Sequence, residues 1–201
     1  QSQINPHFLY NTLDSIIWMA EGRKYEEVVL MTASLARLLR QSISNEDEVV
    51  PLAREVEYAK GYLTIQKMRY KDKLEFEIDV EPSILNIPLI KLVLQPIIEN
   101  AIYHGLKYKE SKGLLQVKGF MKDGNAVLQV IDNGVGMDEE TLSHIYDKHK
   151  VNYHSNGVGV YNVQKRLKLY YGENYGITYE SEKGVGTTAT ITIPGIQEES
   201  I

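Results

Sequence analysis

The chain has 201 residues, of which 43% are hydrophobic and 24% are charged, a composition typical of a folded globular protein. Its net charge of −5 gives no sign of the basic surface that nucleic-acid-binding proteins carry, so nucleic acid is not an expected partner. The absence of cysteine excludes disulfides, thiolate metal sites and thiol catalysis. No apolar run approaches the roughly 18 residues of a membrane span. Because the chain begins with Gln1 rather than methionine, we expect a fragment of a longer protein.

Three helices are predicted in the first 71 residues, and each has an apolar face. They cover residues 1–22, residues 25–43 and the stretch from Pro51 to about Tyr70. The apolar side chains of the first helix are Ile4, Phe8, Leu9, Leu13, Ile16, Ile17 and Ala20. Such wide apolar faces cannot all be buried within one small unit, so we expect these helices to form a homodimer.

His7 is predicted to lie on the opposite side of the first helix, together with Asn11 and Trp18. A histidine of the core would be expected on the apolar face, although an ordinary surface histidine fits this position as well. An exposed imidazole is mostly neutral at pH 7 and keeps a lone pair on one ring nitrogen. This nitrogen can act as a nucleophile towards a phosphoryl group.

After residue 73 the hydrophobic period becomes that of a strand, because apolar and acidic residues alternate over residues 74–80. A helix follows, and its apolar face consists of Ile90, Leu94, Ile97, Ile98 and Ala101. Asn100, His104 and Lys107 lie on a neighbouring polar arc, which an ordinary solvent-exposed edge would also explain. The side-chain oxygen of Asn100 is a suitable ligand for Mg²⁺ shared with phosphate groups. Gly105 is interpreted as the residue that ends the helix.

A hairpin is predicted over residues 115–131, with its turn at Asp123-Gly124-Asn125. Its second strand leads directly into Asp132-Asn133-Gly134-Val135-Gly136. A carboxylate at a strand end, followed by two glycines, provides a fixed hydrogen-bond acceptor and a backbone that can approach a planar ligand closely. An isolated Asp-Asn-Gly sequence is more often a simple turn, so this interpretation depends on the other motifs.

A short helix is predicted at residues 138–146, followed by a polar segment without periodicity at residues 147–156. Such a segment is typical of a mobile lid over a ligand site. Three histidines lie in this part of the chain, namely His144, His149 and His154. Their spacing matches neither a helical pair of metal ligands nor a zinc motif, so we do not expect them to bind a metal.

Gly157-Val158-Gly159 is predicted to begin a helix that runs to Tyr171. Glycines at a helix N-terminus leave backbone N–H groups and the positive end of the helix dipole available to phosphate, although two glycines alone are weak evidence. Two antiparallel strands are predicted at residues 177–181 and 188–193. Residues 197–201 are interpreted as a tail.

Four of these motifs stand in the order of the N, G1, G2 and GT boxes of the ATP-binding domain that histidine kinases share with Hsp90, MutL and type II topoisomerases. They are Glu99-Asn100, Asp132-x-Gly134-x-Gly136, Gly157-x-Gly159 and Gly186-Thr187. The segment Asn5-Pro6-His7-Phe8-Leu9-Tyr10-Asn11 resembles the phosphoacceptor signature of LytS/YesM-type sensor histidine kinases of bacterial two-component systems. Further similarities are Tyr62-Leu63-x-Ile65-Gln66-x-x-Arg69 and Asn162-Val163-x-x-Arg166-Leu167, so the resemblance covers nearly the whole chain.

The resemblance implies an α+β fold in two parts. Residues 1–71 would form a helical phosphoacceptor and dimerisation region. Residues 72–196 would form a GHKL-type ATP-binding domain of the Bergerat fold, a two-layer α/β sandwich with a mixed, largely antiparallel sheet. Residues 197–201 would be a tail.

The resemblance also implies roles around the phosphates of ATP. His7 would accept the γ-phosphoryl group, and Asn100 would bind the Mg²⁺ that bridges the phosphates. Glu99 would assist proton removal or water placement. His104 and Lys107 would lie near the phosphates.

Around adenine and the lid, the resemblance implies a second set of roles. Asp132 would accept a hydrogen bond from the adenine amino group, with Thr187 or Thr188 helping through a water molecule. Gly134 and Gly136 would let the backbone approach the purine. The lid would hinge on a short segment that also presents N–H groups to the phosphates, formed by Gly157, Val158 and Gly159.

The sequence departs from the family pattern at two positions. Many histidine kinases carry an acidic residue directly after the phosphoacceptor, but this position is Phe8 here, so the general base is unassigned. Asn11, one turn further on, can orient the imidazole of His7 but cannot take its proton. Val160 replaces a leucine in the G2 box, which is a change that nearly conserves size.

The expected function is therefore an ATP-dependent histidine kinase core that autophosphorylates His7 and passes the phosphoryl group to an aspartate of a response regulator. One alternative is an ATP-binding regulatory scaffold of the same fold without phosphotransfer. Another is a serine kinase of the anti-sigma type, which the helical segment around His7 disfavours. The expected location is the cytoplasmic side of the bacterial cell membrane, with the longer protein anchored in the membrane and this fragment soluble.

Overall fold

The computed structural model of the chain describes residues 6–43, 48–145 and 157–195. The predicted lid at residues 147–156 and the predicted tail at residues 197–201 lie outside the described residues, and so do His149 and His154. Among the helices that the structure describes, none has both the length and the apolar character required to cross a bilayer.

The N-terminal part consists of helices α1 (Pro6–Glu21), α2 (Tyr25–Ile43) and α3 (Leu52–Tyr70), close to the predicted bounds. Helix α2 packs against both α1 and α3. Phe8, Thr12 and Met19 of α1 are buried. Leu13 and Ile17 were predicted on its apolar face, but they are 48% and 54% exposed in this single chain. The apolar face of α1 is therefore only partly covered, because α2 and α3 pack against part of it.

Two short strands, which the sequence did not predict, lie just before α3 and before the helix that follows it in the domain. Their pairing fixes where these two helices begin. Strand β1 (Val49–Pro51) pairs antiparallel with β3 (Pro88–Ile90). Three-residue strands containing proline carry no usable alternation, so the sequence gives little sign of them. Their pairing brings the start of α3 next to the start of α4 (Leu94–Asn100).

The main sheet has five strands in the order β2–β4–β5–β7–β6. Strands β2 and β4 are parallel, and the other neighbouring pairs are antiparallel. Asp123 and Gly124 have φ values of +50° and +78°, as the two-residue turn of the predicted β4–β5 hairpin requires. The strands are β2 (Leu74–Val80), β4 (Gly113–Lys122), β5 (Asn125–Asp132), β6 (Gly176–Glu182) and β7 (Gly186–Pro194).

Helices cover one face of this sheet and form the second layer. Helix α4 continues into a π-helical turn (Ala101–Leu106), and α5 (Glu139–Ser143) and α6 (Gly157–Tyr171) follow later in the chain. The inward side chains of the strands are buried against them, including Leu115, Val117, Leu128, Val130, Ala189 and Ile191. The predicted α+β sandwich with a mixed, largely antiparallel sheet is therefore confirmed.

One continuous apolar core joins the helical segment to the sheet. It extends from Phe8 in α1, through Leu63 and Ile65 in α3, to Ile193 in β7. Helix α3 packs against α4 and β2 as well as α2. The division of the chain between residues 71 and 72 stays a prediction, and α3 contributes to the core on both sides of it.

Candidate functional site

A cavity of about 570 Å³ lies between α4 and the inner face of the sheet. It brings together five residues that the sequence predicted for one site, although they are spread over 88 positions. They are Asn100, His104, Asp132, Gly136 and Thr187. The first two come from α4 and its π-helical turn, Asp132 ends β5, Gly136 follows it, and Thr187 lies at the start of β7.

Most of the cavity wall is apolar, and the sequence analysis did not identify this wall. The side chains look like ordinary core positions of a helix or strand, so periodicity cannot distinguish a cavity wall from a packed core. An apolar cavity with a few convergent polar groups suits a planar ligand such as a purine base. The apolar and aromatic lining residues are Ile97, Ala101, Val130, Met137, Ile145, Tyr179 and Ala189.

Asp132 is the most deeply placed polar group of this cavity, with only 6% of its surface exposed. Burial raises the pKa of its carboxyl from 3.8 to about 6, against the opposing effect of backbone hydrogen bonds from Gly134 and Thr187 and the positive charge of Lys109. The N–H of Gly134 donates to Asp132 Oδ1 over 2.8 Å. At neutral pH the side chain is therefore mainly a fixed carboxylate that can accept a hydrogen bond from a ligand.

Gly105 and Gly134 have to be glycines because their backbones approach the side chain of Asp132 and each other closely. A Cβ on Gly105 would lie 2.7 Å from Asp132 Oδ1, and one on Gly134 would lie 2.4 Å from the carbonyl carbon of Gly105. The interpretation of Gly105 as the end of the helix is wrong, because it lies inside the π-helical turn and its φ is not positive. The close approach to Asp132 explains this glycine instead.

Gly136 lines the cavity, whereas Gly134 is packed behind it. Gly136 has a φ of +62°, and a Cβ there would lie 1.9 Å from the carbonyl oxygen of Glu182. The next residue, Met137, donates its N–H to Ser181 Oγ over 2.8 Å. Contacts with the β6–β7 hairpin therefore hold this loop in place.

Gly134→Ala is expected to lower the free energy of unfolding by about 3 kcal/mol, because the new methyl group would overlap the backbone of Gly105. Chemical denaturation monitored by circular dichroism measures this change. Gly61→Ala in α3 is the matched control, since its Cβ would meet only the Leu38 side chain, at the ordinary contact distances of 3.6 Å and 3.7 Å. The control should raise stability by about 0.5 kcal/mol through helix propensity. Equal effects of the two substitutions would contradict the packing described for Gly134.

Asn100 and His104 present their side chains to the cavity from the helical side. Asn100 Oδ1 is buried and has no hydrogen-bond partner among the described residues. An orphaned amide oxygen facing a cavity fits a hard cation such as Mg²⁺, so the residues present suit this ion. His104 has an exposed edge at the cavity mouth, and partial burial together with the positive charge of Lys107 lowers its pKa.

Glu99, Lys107 and Thr188 are among the predicted site residues that do not line the cavity. Glu99 accepts a hydrogen bond from Gln95 Nε2 over 2.8 Å, and burial raises the pKa of its carboxyl. Lys107 is exposed, with its ammonium 5.8 Å from the ring centre of Tyr108. Thr188 is absent from the cavity lining, whereas Thr187 and Ala189 line it, because successive residues of strand β7 alternate between the two faces of the sheet.

The predicted G2 glycines begin helix α6. Gly157 and Val158 are its first two residues. Gly159 lies against α4, where a Cβ would be 3.2 Å from Pro96 Cβ. This close packing places the first turn of α6 beside the helix that carries Asn100.

His7 lies on the exposed side of α1, as predicted, and does not line the cavity. The amide nitrogen of Asn11 lies 2.9 Å from His7 Nδ1 and 3.3 Å from Nε2, so Asn11 can orient the ring. The neighbouring Phe8 is buried and stacks on Tyr62 of α3, with ring centres 4.9 Å apart. The stacking fixes α1 against α3 while leaving His7 at the surface.

Family comparisons match both parts of the chain. The family described as histidine kinase matches residues 1–74, and the family described as histidine kinase-, DNA gyrase B- and HSP90-like ATPase matches residues 86–197. The chain is 36% identical to the sensor histidine kinase YesM of Bacillus subtilis, over 96% of this chain and 32% of YesM. It is 34% identical to the sensor protein LytS of Oceanobacillus iheyensis, over 87% of this chain and 30% of LytS.

The chain thus spans about a third of the length of the curated relatives it matches. Among solved structures, it resembles the histidine kinase domain of a blue-light activated histidine kinase from Erythrobacter litoralis. The TM-score is 0.54 at 15% sequence identity, with 87% of this chain and 82% of that chain covered. At this identity the likeness concerns the fold.

Proposed function

The chain belongs to the histidine kinase family, and from this premise we propose that it is the ATP-dependent catalytic core of a two-component sensor. In this proposal the γ-phosphoryl group of ATP passes to His7 and then to an aspartate of a response regulator. The observation that carries the proposal is the cavity in which Asn100, Asp132 and Thr187 converge.

The proposed nucleotide pose follows from the chemistry of the cavity wall. Adenine occupies the apolar part, and its amino group donates to the carboxylate of Asp132. Thr187, whose hydroxyl lies 2.9 Å from Ser181 Oγ, is placed to hold a water molecule between base and protein. The phosphates extend towards Asn100 and His104, and Asn100 Oδ1 would hold Mg²⁺, which neutralises phosphate charge when bound.

The proposed transfer is an in-line displacement at the γ-phosphorus. A ring nitrogen of His7 forms the new N–P bond, the bond to the β–γ bridging oxygen breaks, and ADP leaves. Asn11 orients the imidazole, and Glu99 is the proposed acceptor of the imidazole proton. Burial raises the pKa of Glu99, which makes its carboxylate a stronger base.

His7 has to come within about 3–3.5 Å of the phosphorus for this reaction. Because His7 does not line the cavity in the single chain, we propose that the reactive geometry forms by movement of α1 or between two chains of a homodimer. The uncovered apolar face of the N-terminal helices suits such a dimer. It includes Tyr10, Leu13 and Ile17 of α1 and Val29 and Leu30 of α2.

Leu13→Glu combined with Ile17→Glu is expected to convert a dimer to a monomer, since two buried charges would replace apolar contacts at the interface. Light scattering after size-exclusion chromatography measures the mass. Leu169→Glu on α6, also at a strongly exposed apolar residue, is the matched control and should leave the mass unchanged. A double variant that stays dimeric would rule out this interface.

Incubation of the protein with γ-labelled ATP and Mg²⁺ tests the proposed activity. A phosphoramidate on histidine is lost in acid and survives base, whereas a phosphoserine ester shows the opposite behaviour. Nucleotide binding without any label would instead indicate the regulatory scaffold. An acid-stable label would indicate the serine kinase.

We further propose that the core works on the cytoplasmic side of the bacterial membrane as part of a longer, membrane-anchored sensor. The family relationship supports this location, and YesM and LytS are named as sensors. Fractionation of cells that express the complete protein, followed by detection of this segment, would test it.

A further inference from the structure

Glu55 of α3 is a buried carboxylate that the sequence analysis did not single out. Only 7% of its surface is exposed. It accepts hydrogen bonds from three consecutive backbone N–H groups, those of Leu92, Val93 and Leu94, over 2.8, 2.9 and 3.1 Å. These groups belong to the beginning of α4, which is 37 or more residues further along the chain.

The first N–H groups of a helix have no partner within the helix, and its N-terminus carries partial positive charge. Helix α4 lacks a side-chain cap of its own, because the residue at the N-cap position is Val93. Leu92 adopts a φ of +62°, which is unfavourable for a branched side chain and persists only where surrounding contacts hold it. Glu55 therefore supplies the cap from another helix.

The position of Glu55 links three helices around the cavity. Its own helix α3 packs against the N-terminal helices, and the residues that it caps begin α4, which ends with Asn100. Arg166 of α6 interacts with Glu55 electrostatically. Burial raises the pKa of Glu55, while the three N–H groups and Arg166 favour its charged form.

We propose that Glu55 is a positioning residue of the nucleotide site, which fixes α4 relative to α3 and thereby sets the place of Asn100 at the cavity. This inference rests on the proposed function for the identity of the ligand. A cap from α3 makes the placement of the cavity wall depend on the helix that also contacts Phe8. A cap located within α4 would create no such dependence.

The test compares Glu55→Gln with Tyr171→Phe. The Tyr171 hydroxyl accepts from the N–H of Ile90 over 3.3 Å and donates to the carbonyl of Pro88 over 3.1 Å. It thus ties α6 to β3 just before α4, without contacting α4 in these bonds. Both variants lose hydrogen bonds to the backbone, but only Glu55→Gln weakens those at the beginning of α4, because it replaces one carboxylate oxygen by an NH₂ group.

Calorimetric titration with Mg·ATP, well below the melting temperature of each variant, measures the dissociation constant of each protein. Because small misplacements of a binding group are costly, we expect Glu55→Gln to weaken binding about tenfold, and Tyr171→Phe by less than about twofold. Equal affinities for wild type and Glu55→Gln, or equal losses in both variants, would overturn the proposal. If Glu55→Gln does not fold, Glu55→Asp keeps the charge on a shorter arm and should weaken binding about threefold.

Hydrogen exchange separates a failure of this inference from a failure of the proposed function. If wild type does not bind Mg·ATP, the proposed function falls, and the exchange result alone decides the role of Glu55. Amides of residues 94–106 should then exchange about tenfold faster in Glu55→Gln, whereas those of β5 should not change. Unchanged exchange in residues 94–106 would overturn the inference.

Discussion

Asp132→Asn is expected to weaken Mg·ATP binding about 100-fold or more, because it removes a charged acceptor that is worth up to about 3 kcal/mol per hydrogen bond. The Gly134 N–H, 2.8 Å from Asp132 Oδ1, would keep the oxygen of the new amide on its own side. The amide NH₂ would then face the amino group of adenine, donor against donor. Calorimetric titration with Mg·ATP measures the loss.

Asp123→Asn is the matched control for this substitution, since Asp123 lies at the exposed β4–β5 turn. Asparagine tolerates the positive φ of that position, so nucleotide affinity should not change. Unaltered affinity in Asp132→Asn would refute the placement of adenine at this carboxylate.

The pH dependence of stability offers an independent check on Asp132. Its pKa in the folded protein, about 6, exceeds its ordinary value of 3.8, so the folded state binds the proton more tightly. Wild type should therefore lose stability as pH rises from about 4 to about 6, by an amount on the order of 3 kcal/mol. Asp132→Asn lacks this titration. Chemical denaturation of both proteins across this pH range measures their free energies of unfolding. As pH rises, the free energy of unfolding of wild type should fall relative to that of Asp132→Asn.

His7→Gln is expected to reduce phosphorylation by γ-labelled ATP to background, because glutamine has no nucleophilic ring nitrogen. The effect on nucleotide affinity should be less than about twofold, since His7 does not line the cavity. Measuring both the label and the nucleotide affinity separates loss of the phosphoacceptor from loss of the nucleotide site. Filter binding of the labelled protein and calorimetric titration provide them.

One outcome would contradict the role of His7, and a second would leave the nucleophile unidentified. A label of unchanged intensity in His7→Gln would place the phosphoacceptor elsewhere. A loss of both label and nucleotide affinity would show that the substitution disturbs α1 and its packing on α3, so the result would no longer identify the nucleophile.

The five strands of the main sheet and the ends of most helices could be predicted, because burial on one face sets the periodicity of these elements. The alternation of apolar and acidic residues over residues 74–80 predicted β2, and the Asp123-Gly124 pair predicted the β4–β5 turn. The position of Asp132 at the end of β5 followed from the hairpin register. The order of the family motifs was enough to predict five residues that line the cavity, namely Asn100, His104, Asp132, Gly136 and Thr187, but not its apolar wall.

The remaining features depend on contacts between segments far apart in the chain. Glu55 reads as one of several acidic residues of an amphipathic helix, and its role appears only when the beginning of α4 is placed against it. Gly105 resembled a helix end because the π-helical turn changes the residue period after Asn100. Leu13 and Ile17 have the periodicity of buried residues, but the packing of α2 and α3 on α1 leaves both exposed in the single chain.

The parallel pairing of β2 and β4 has a consequence for how the protein folds. Parallel neighbours require a crossover connection, and here residues 81–112, which include α4, form that connection. The pairing of β2 with β4 therefore joins segments distant in sequence, and such pairing is slow because loop-closure entropy opposes it. A nucleotide that binds only when this helical wall is in place would stabilise the completed domain by mass action.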